Sequence, residues 1–240
     1  MSATRGDVAA RVAALDWARI RGELGERGWA GTGPLLDAEE CARLAGLYDD
    51  DAWFRSRVVM ERHGFGKGEY RYFAYPLPDL VADLRRELYE ALRETANAWR
   101  SAMGGGDPFP REHPEYLERC RRAGQHRPTP LLLRYRAGDY NCLHQDLYGE
   151  HVFPLQAAFL LAEPGRDFEG GEFVLTEQRP RMQSRAHVVP LAQGEAVIFA
   201  VSHRPRAGGR GTYRVTMRHG VSPLRAGRRH ALGVIFHDAA

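Results

Sequence analysis

The chain has 240 residues, 43% hydrophobic and 10% aromatic, which is enough apolar material for one domain with a full core and too much for a disordered chain. Formal net charge is only +3. Three widely spaced cysteines (Cys41, Cys120 and Cys142) with no CxxC pair argue against a disulfide framework or a cysteine zinc site.

The N-terminal stretch MSATRGDVAARVAALDWARI carries Asp7 and Asp16 and lacks the apolar core of a signal peptide, so a soluble cytoplasmic protein is expected. In LLDAEECARLAGLYDDD, Leu44, Leu47 and Tyr48 form a helical stripe, with Asp37 placed as N-cap. HGFGKGEYRYF, from His63, has three alternating glycines but neither a dinucleotide fingerprint nor a P-loop. It reads as a loop or hairpin at the mouth of a site, with Lys67 at its tip as a candidate substrate contact. From Leu80 the leucines recur at Leu84, Leu88 and Leu92, then Trp99, marking one face of a helix that starts after Pro78-Asp79 and stops before Gly104. A third helix fits PEYLERCRRAG, with Pro114 in its first turn and Gly124 as its end signal. These stripes are packing surfaces without chemistry.

From Pro130 the pattern changes to short apolar runs broken by Gly and Pro, which read as successive strands of a sandwich or barrel. The run Val152 to Ala162 is too short to cross a bilayer and is interrupted by Gln156. Within NCLHQDLYGEH, His144 and Asp146 stand two apart, so a strand would aim both to one side. Cys142 there reads as a small strand residue. In TYRVTMRHGVS, alternation sets Tyr213, Val215, Met217 and His219 on one face and Arg214, Thr216 and Arg218 on the other, so His219 is expected to point inward. Arg229, on a separate strand begun after the Gly227 turn, shares a face with Ala231, Gly233 and Ile235. An inward guanidinium there requires an anion.

His144, Asp146 and His219 make a two-histidine, one-carboxylate set that suits non-haem Fe(II) and leaves positions open. Arg229 would hold the far carboxylate of a bidentate oxo-acid in a fork, and Tyr135 on the preceding strand would donate its hydroxyl to the same ligand.

These residues carry a resemblance. HQD together with HGVSPLRAGRRHAL resembles the signature of the Fe(II)/2-oxoglutarate-dependent dioxygenases, most closely the prolyl-hydroxylase branch. His219, Val221, Pro223, Gly227, Arg229 and Leu232 match, and Leu224 stands for a valine. FEGGEFVL and GEAVIF are similar to the intervening strands, and the helix after Asp37 resembles an N-terminal helix of that superfamily. The resemblance implies an α+β fold with a double-stranded β-helix (jelly-roll) core. On that reading residues 1–240 are a single domain, in which 1–125 is mainly helical support with a substrate-loop segment and 126–240 is the catalytic core. It also implies Fe(II), 2-oxoglutarate as co-substrate, O2 and stimulation by ascorbate, in a reaction that decarboxylates 2-oxoglutarate while hydroxylating a substrate C–H.

The whole chain, including FGKGEYRYFAYPLP, GQHRPTPLLLRY and LTEQRPRMQSRAHVVPL, resembles a bacterial oxygenase family described as acting on alkylation-damaged DNA. RYRAGDYNCLHQD is similar to the AlkB-type demethylases, although Leu133 and Ile235 replace an asparagine and an arginine of that type. Between Glu195 and Asp238 there is no acid, while Arg204, Arg206, Arg210, Arg214, Arg218, Arg225, Arg228 and Arg229 fall inside, which suits a phosphate-bearing partner. Single-stranded or damaged nucleic acid is therefore the expected partner, with neither a membrane nor an obligate protein partner. Its candidate contacts are Lys67, Tyr70, Tyr72, Glu150, His151, Arg204 and Arg206. Hydroxylation of a protein side chain is the alternative, a small-molecule substrate comes third, and a non-enzymatic basic nucleic-acid-binding module comes last.

Overall fold

The structure, a computed structural model, describes residues 5–209 and 211–240; Arg210 of the basic segment and the first four residues lie outside them. Five α-helices are present among the described residues: α1 (Arg5–Ala13), α2 (Trp17–Arg27), α3 (Ala38–Gly46), α4 (Asp79–Ala102) and α5 (His113–Arg122). Asp37 caps α3 as the sequence indicates. Its carboxylate accepts from the Glu40 backbone N–H at 2.7 Å, and Glu40 returns the bond to the Asp37 N–H at 3.0 Å, closing a capping box. The leucine stripe of α4 buries Leu84, Leu88, Leu92 and Trp99. None of the helices among the described residues is long and apolar enough to cross a membrane.

The strands are β1 (Trp29–Pro34), β2 (Phe54–Val59), β3 (Gly66–Lys67), β4 (Glu69–Phe73), β5 (Leu131–Arg136), β6 (Tyr140–His144) and β7 (Leu155–Leu160), followed by β8 (Phe168–Gly170), β9 (Phe173–Gln178), β10 (Arg185–Val189), β11 (Glu195–Ala200), β12 (His203–Gly208), β13 (Gly211–Val221) and β14 (Leu224–Ile235). They form two antiparallel sheets. The larger runs β1-β11-β7-β14-β5-β4-β2 with β8 on β14, and the smaller runs β10-β9-β13-β6-β3 with β12 on β13. This is a jelly-roll core in an α+β protein. The first 125 residues give the larger sheet β1, β2 and β4 as well as helices, so the helical half is also woven into the core.

The larger sheet is covered on both faces, which explains its almost unbroken apolar strands. Leu155, Ala157 and Phe159 of β7, Ile198 of β11, and Leu232 and Val234 of β14 pack against helix residues such as Leu88 and Leu92. The alternate residues Gln156 and Ala158 of β7 and Ala231, Gly233 and Ile235 of β14 face a cavity between the sheets. Period-two alternation thus divides each strand between core and cavity.

One sequence expectation is corrected. Arg229 is not on a strand begun after a Gly227 turn; β14 starts at Leu224 and passes through Gly227. Gly227 adopts φ +79°, and a Cβ there would sit 2.0 Å from the Asp167 carbonyl oxygen. It is a kink where β8 presses against β14, a conformation and approach open only to glycine.

Candidate metal centre

β6 and β13 are antiparallel neighbours, and His144 and His219 are directly opposed in their register. Their rings lie 4.2 Å apart between centroids. Asp146, just past the end of β6, completes the group, with Oδ1 3.5 Å from His144 Nε2 and Oδ2 3.4 Å from His219 Nε2. One ligand atom from each of the three residues lies within 4.8 Å of the others, a spacing that fits a single metal ion. The chemistry of the donors fits as well. His144 Nδ1 sits 2.8 Å from the Cys142 carbonyl oxygen, so Nδ1–H donates and the Nε2 lone pair is left facing the cluster.

Burial pushes the Asp146 carboxyl up, but the hydrogen bond and charge of His219 and the charge of His144 outweigh it and hold the group well below the usual carboxylate range. Burial, then His144, pushes His219 down. At neutral pH the cluster is therefore an ionised carboxylate beside a neutral His219 imidazole, the protonation state that binds a cation. Two partners fix the carboxylate further. The Tyr148 hydroxyl donates to Oδ1 at 2.7 Å, and Gln156 Nε2 donates to Oδ2 at 2.9 Å. Neither was singled out as a site residue from the sequence. The signal for Gln156 was its position as the polar interruption of an apolar strand.

Arg229 is 3% exposed, and its guanidinium forms no ion pair among the described residues. Glu172, whose charge reaches it, bonds Ser222 instead and lies 3.7 Å from Arg225. Burial pushes the Arg229 pKa down, the mark of a cation without its counter-ion. Tyr135, its partner in the β14–β5 register, is completely buried, and its hydroxyl has no hydrogen-bond partner among the described residues. Both residues line the cavity that holds the cluster, a space of about 330 Å³. A buried cation and a buried hydroxyl, both unsatisfied and both facing one cavity, are groups that an anion there could satisfy.

The other expected contacts divide. Tyr70 lines the cavity, as do Phe65 and Leu143, two exposed apolar residues at its mouth. Tyr72 stands behind the wall, its hydroxyl 3.0 Å from that of Tyr148. Lys67, Glu150 and His151 do not line the cavity. The His151 N–H is tied to the Gln125 side chain at 2.7 Å, which anchors the loop beyond Asp146. Arg204 is corrected outright: it is fully buried, ion-paired with Glu177 at 2.5 Å, and donates to the Gly25 and Glu26 carbonyls. Arg206 lies 3.6 Å from the same Glu177. Arg204 thereby ties α2 to the smaller sheet, while Arg206, part-exposed, reaches only Glu177 among the described ion pairs, because a buried carboxylate draws cations to itself.

Comparison with known proteins agrees with this geometry. A family described as an oxygenase catalysing oxidative methylation of damaged DNA matches residues 68–239. Uncharacterized proteins from two strains of Mycobacterium tuberculosis are 45% identical over 168 residues, covering 70% of this chain and 72% of theirs. Among solved structures, a Burkholderia pseudomallei oxidoreductase of the 2OG-Fe(II) oxygenase family superposes with a TM-score of 0.56 at 18% identity, covering 95% of this chain and 94% of that one. A Phytophthora capsici prolyl 4-hydroxylase gives 0.54 at 16% identity, covering 100% of this chain and 67% of its own. At these identities the two structures are likenesses of fold.

Proposed function

The chain belongs to the oxygenase family described as acting on damaged DNA, and from that premise we propose that it is an Fe(II)- and 2-oxoglutarate-dependent dioxygenase that oxidatively removes alkyl groups from nucleic acid. One observation carries the proposal: the His144–Asp146–His219 cluster and the unpaired cradle of Arg229 and Tyr135 face the same cavity.

His144, Asp146 and His219 would hold the metal, and Arg229 and Tyr135 would hold the distal carboxylate of 2-oxoglutarate. When bound, iron with O2 and 2-oxoglutarate would supply an oxidant for an unactivated C–H, 2-oxoglutarate leaving as succinate and CO2 with one oxygen atom and the substrate carbon gaining the other. This chain's residues do the positioning. Arg229 offers a planar fork that matches a carboxylate, and Tyr135 adds a donor. The apolar walls from Leu131, Leu133 and Leu191 keep water out, which strengthens each of these contacts. Where the hydroxylated carbon is an N-methyl, the resulting hemiaminal releases formaldehyde and restores N–H. Net removal of the methyl group is thus the outcome of oxidation at that carbon.

The test is release of succinate and formaldehyde by purified protein with Fe(II), 2-oxoglutarate and methylated single-stranded DNA. Unmethylated DNA and a proline-rich peptide run beside it, with His219→Ala as the blank. Formaldehyde only with methylated DNA and only from the unmutated protein is the expected result. Succinate stimulated by the peptide instead would move the substrate to a protein side chain, and no succinate in any lane would remove the dioxygenase reading.

A further inference from the structure

The charged groups that line the cavity are few. They are Asp146 and Arg229, with the imidazoles of His144 and His219 completing the metal cluster around Asp146. Every Asp and Glu of the chain is among the described residues, and Asp146 is the one carboxylate lining the cavity. The acids closest in sequence to its walls are committed elsewhere. Glu69 bonds Arg57 and Arg134, and Asp139 accepts from the Arg136 N–H at 2.8 Å. Glu150 is exposed, and Glu172 is taken by Ser222 and Arg225.

If the reading above is correct, and this inference rests on it, the cavity is charge-balanced before any substrate enters. A divalent metal and Arg229 together cancel Asp146 and a dianionic oxo-acid. What remains toward the mouth is apolar or neutral. Phe65, Leu143 and Leu191 supply hydrocarbon, while Tyr70 and Asn141 add uncharged polar groups. A substrate group that carries its own positive charge would leave water there and meet no counter-ion, which is unfavourable. The half-exposed ring of Phe65 (48% exposed) offers a cation only the weak attraction of an aromatic face in contact with water.

We infer that the alkylated group this site accepts is electrically neutral: an adduct that leaves the base uncharged, such as N3-methylthymine, and not a ring-methylated cation such as N1-methyladenine or N3-methylcytosine. Arginines outside the cavity meet the phosphates, but the lesion itself is selected by the absence of a spare carboxylate around it.

The experiment compares formaldehyde release from four single-stranded oligonucleotides of one sequence, carrying N3-methylthymine, N1-methyladenine, N3-methylcytosine or no lesion, at saturating Fe(II) and 2-oxoglutarate. The neutral lesion is expected to exceed either cationic one in kcat/KM by roughly tenfold or more, the scale of an uncompensated polar burial. A second variant tests the cause. Leu143, 46% exposed at the mouth, tolerates a polar replacement, so Leu143→Asp should raise the ratio of cationic to neutral turnover by supplying the missing carboxylate. Equal or faster turnover of the cationic lesions by the unmutated protein, or no change of ratio in Leu143→Asp, would overturn the inference and leave the demethylase reading standing. Formaldehyde from none of the oligonucleotides, with succinate release unstimulated by them, would remove the demethylase reading and this inference with it.

Discussion

Tyr148 donates its hydroxyl to Asp146 Oδ1 at 2.7 Å, and Tyr72 stands 3.0 Å behind it, hydroxyl to hydroxyl. The carboxylate of the cluster is thus oriented by a tyrosine that is itself held in place. Outer partners of this kind fix the angle at which a ligand meets its metal, and losing one typically costs about 10–100-fold in metal affinity. Tyr148→Phe keeps the ring and removes the bond. It is expected to weaken Mn(II) binding within that range by calorimetry, while the metal-free melting temperature moves little. Unchanged affinity would show that Gln156 alone suffices to orient Asp146.

Arg229 gives a prediction with an unusual sign. A buried, unpaired guanidinium destabilises the protein that lacks its anion. Arg229→Leu should therefore leave the ligand-free protein as stable as the parent or more so. Addition of 2-oxoglutarate with Mn(II) should raise the melting temperature of the parent, in proportion to the roughly 2.7 kcal/mol expected at a hundredfold excess over Kd. The variant should show no 2-oxoglutarate-dependent rise beyond that of Mn(II) alone. A variant that loses stability without ligand would mean the guanidinium has a structural partner instead.

Arg204 behaves oppositely although both arginines are buried. Its guanidinium is satisfied by Glu177 and two carbonyls at the end of α2, so removing it takes away the buried partner of Glu177 and leaves that carboxylate to Arg179 and Arg206. Arg204→Ala should cost up to about 3 kcal/mol in urea unfolding, the low end for a broken buried pair. Replacing Arg204 and Glu177 together by apolar residues should recover much of that loss. Salt-dependent affinity for single-stranded DNA, measured on protein that remains folded, should not change, because Arg204 is out of reach of any phosphate.

How much of this could be read from the sequence follows from the range of the interactions. The α4 stripe and the alternation on β13 and β14 are local patterns, and the residues they set inward (Leu88, His219, Arg229) are inward in the fold. The metal cluster was legible because its members carry rare chemistry at strand spacing. Arg204 was misread because an arginine in a basic segment looks like surface until Glu177, on β9, is folded against it. Tyr148 was passed over for the same reason. Its role depends on Tyr72 from β4, and nothing in LYGEH announces that neighbour. The contribution of β1, β2 and β4 to the larger sheet was also hidden, because pairing across the chain leaves no periodic mark.

Two buried histidines behind the cluster set an acid limit. Burial, then the charge of Arg85, pushes His113 and His237 down to about 3, against an ordinary value near 6.5. His113 Nε2 lies 2.8 Å from the Phe236 carbonyl oxygen, and His237 Nδ1 accepts the Phe153 N–H at 3.3 Å. Between about pH 6.5 and 3 the unfolded chain binds these protons and the folded one does not, so stability falls as pH is lowered through that window. The slope is up to about 1.4 kcal/mol per pH unit for each histidine. Carboxylates held low in the fold, such as Glu177 and Glu69, add the same sign only nearer pH 4. The interval from pH 6.5 to 5 therefore isolates the histidines, with His219 and His230, which burial also pushes down, adding to the same fall. Urea midpoints measured across it should drop steadily for the parent, and the slope should fall by one histidine's share in His237→Gln, which stays neutral. An equal slope in that variant would assign the acid lability to other groups.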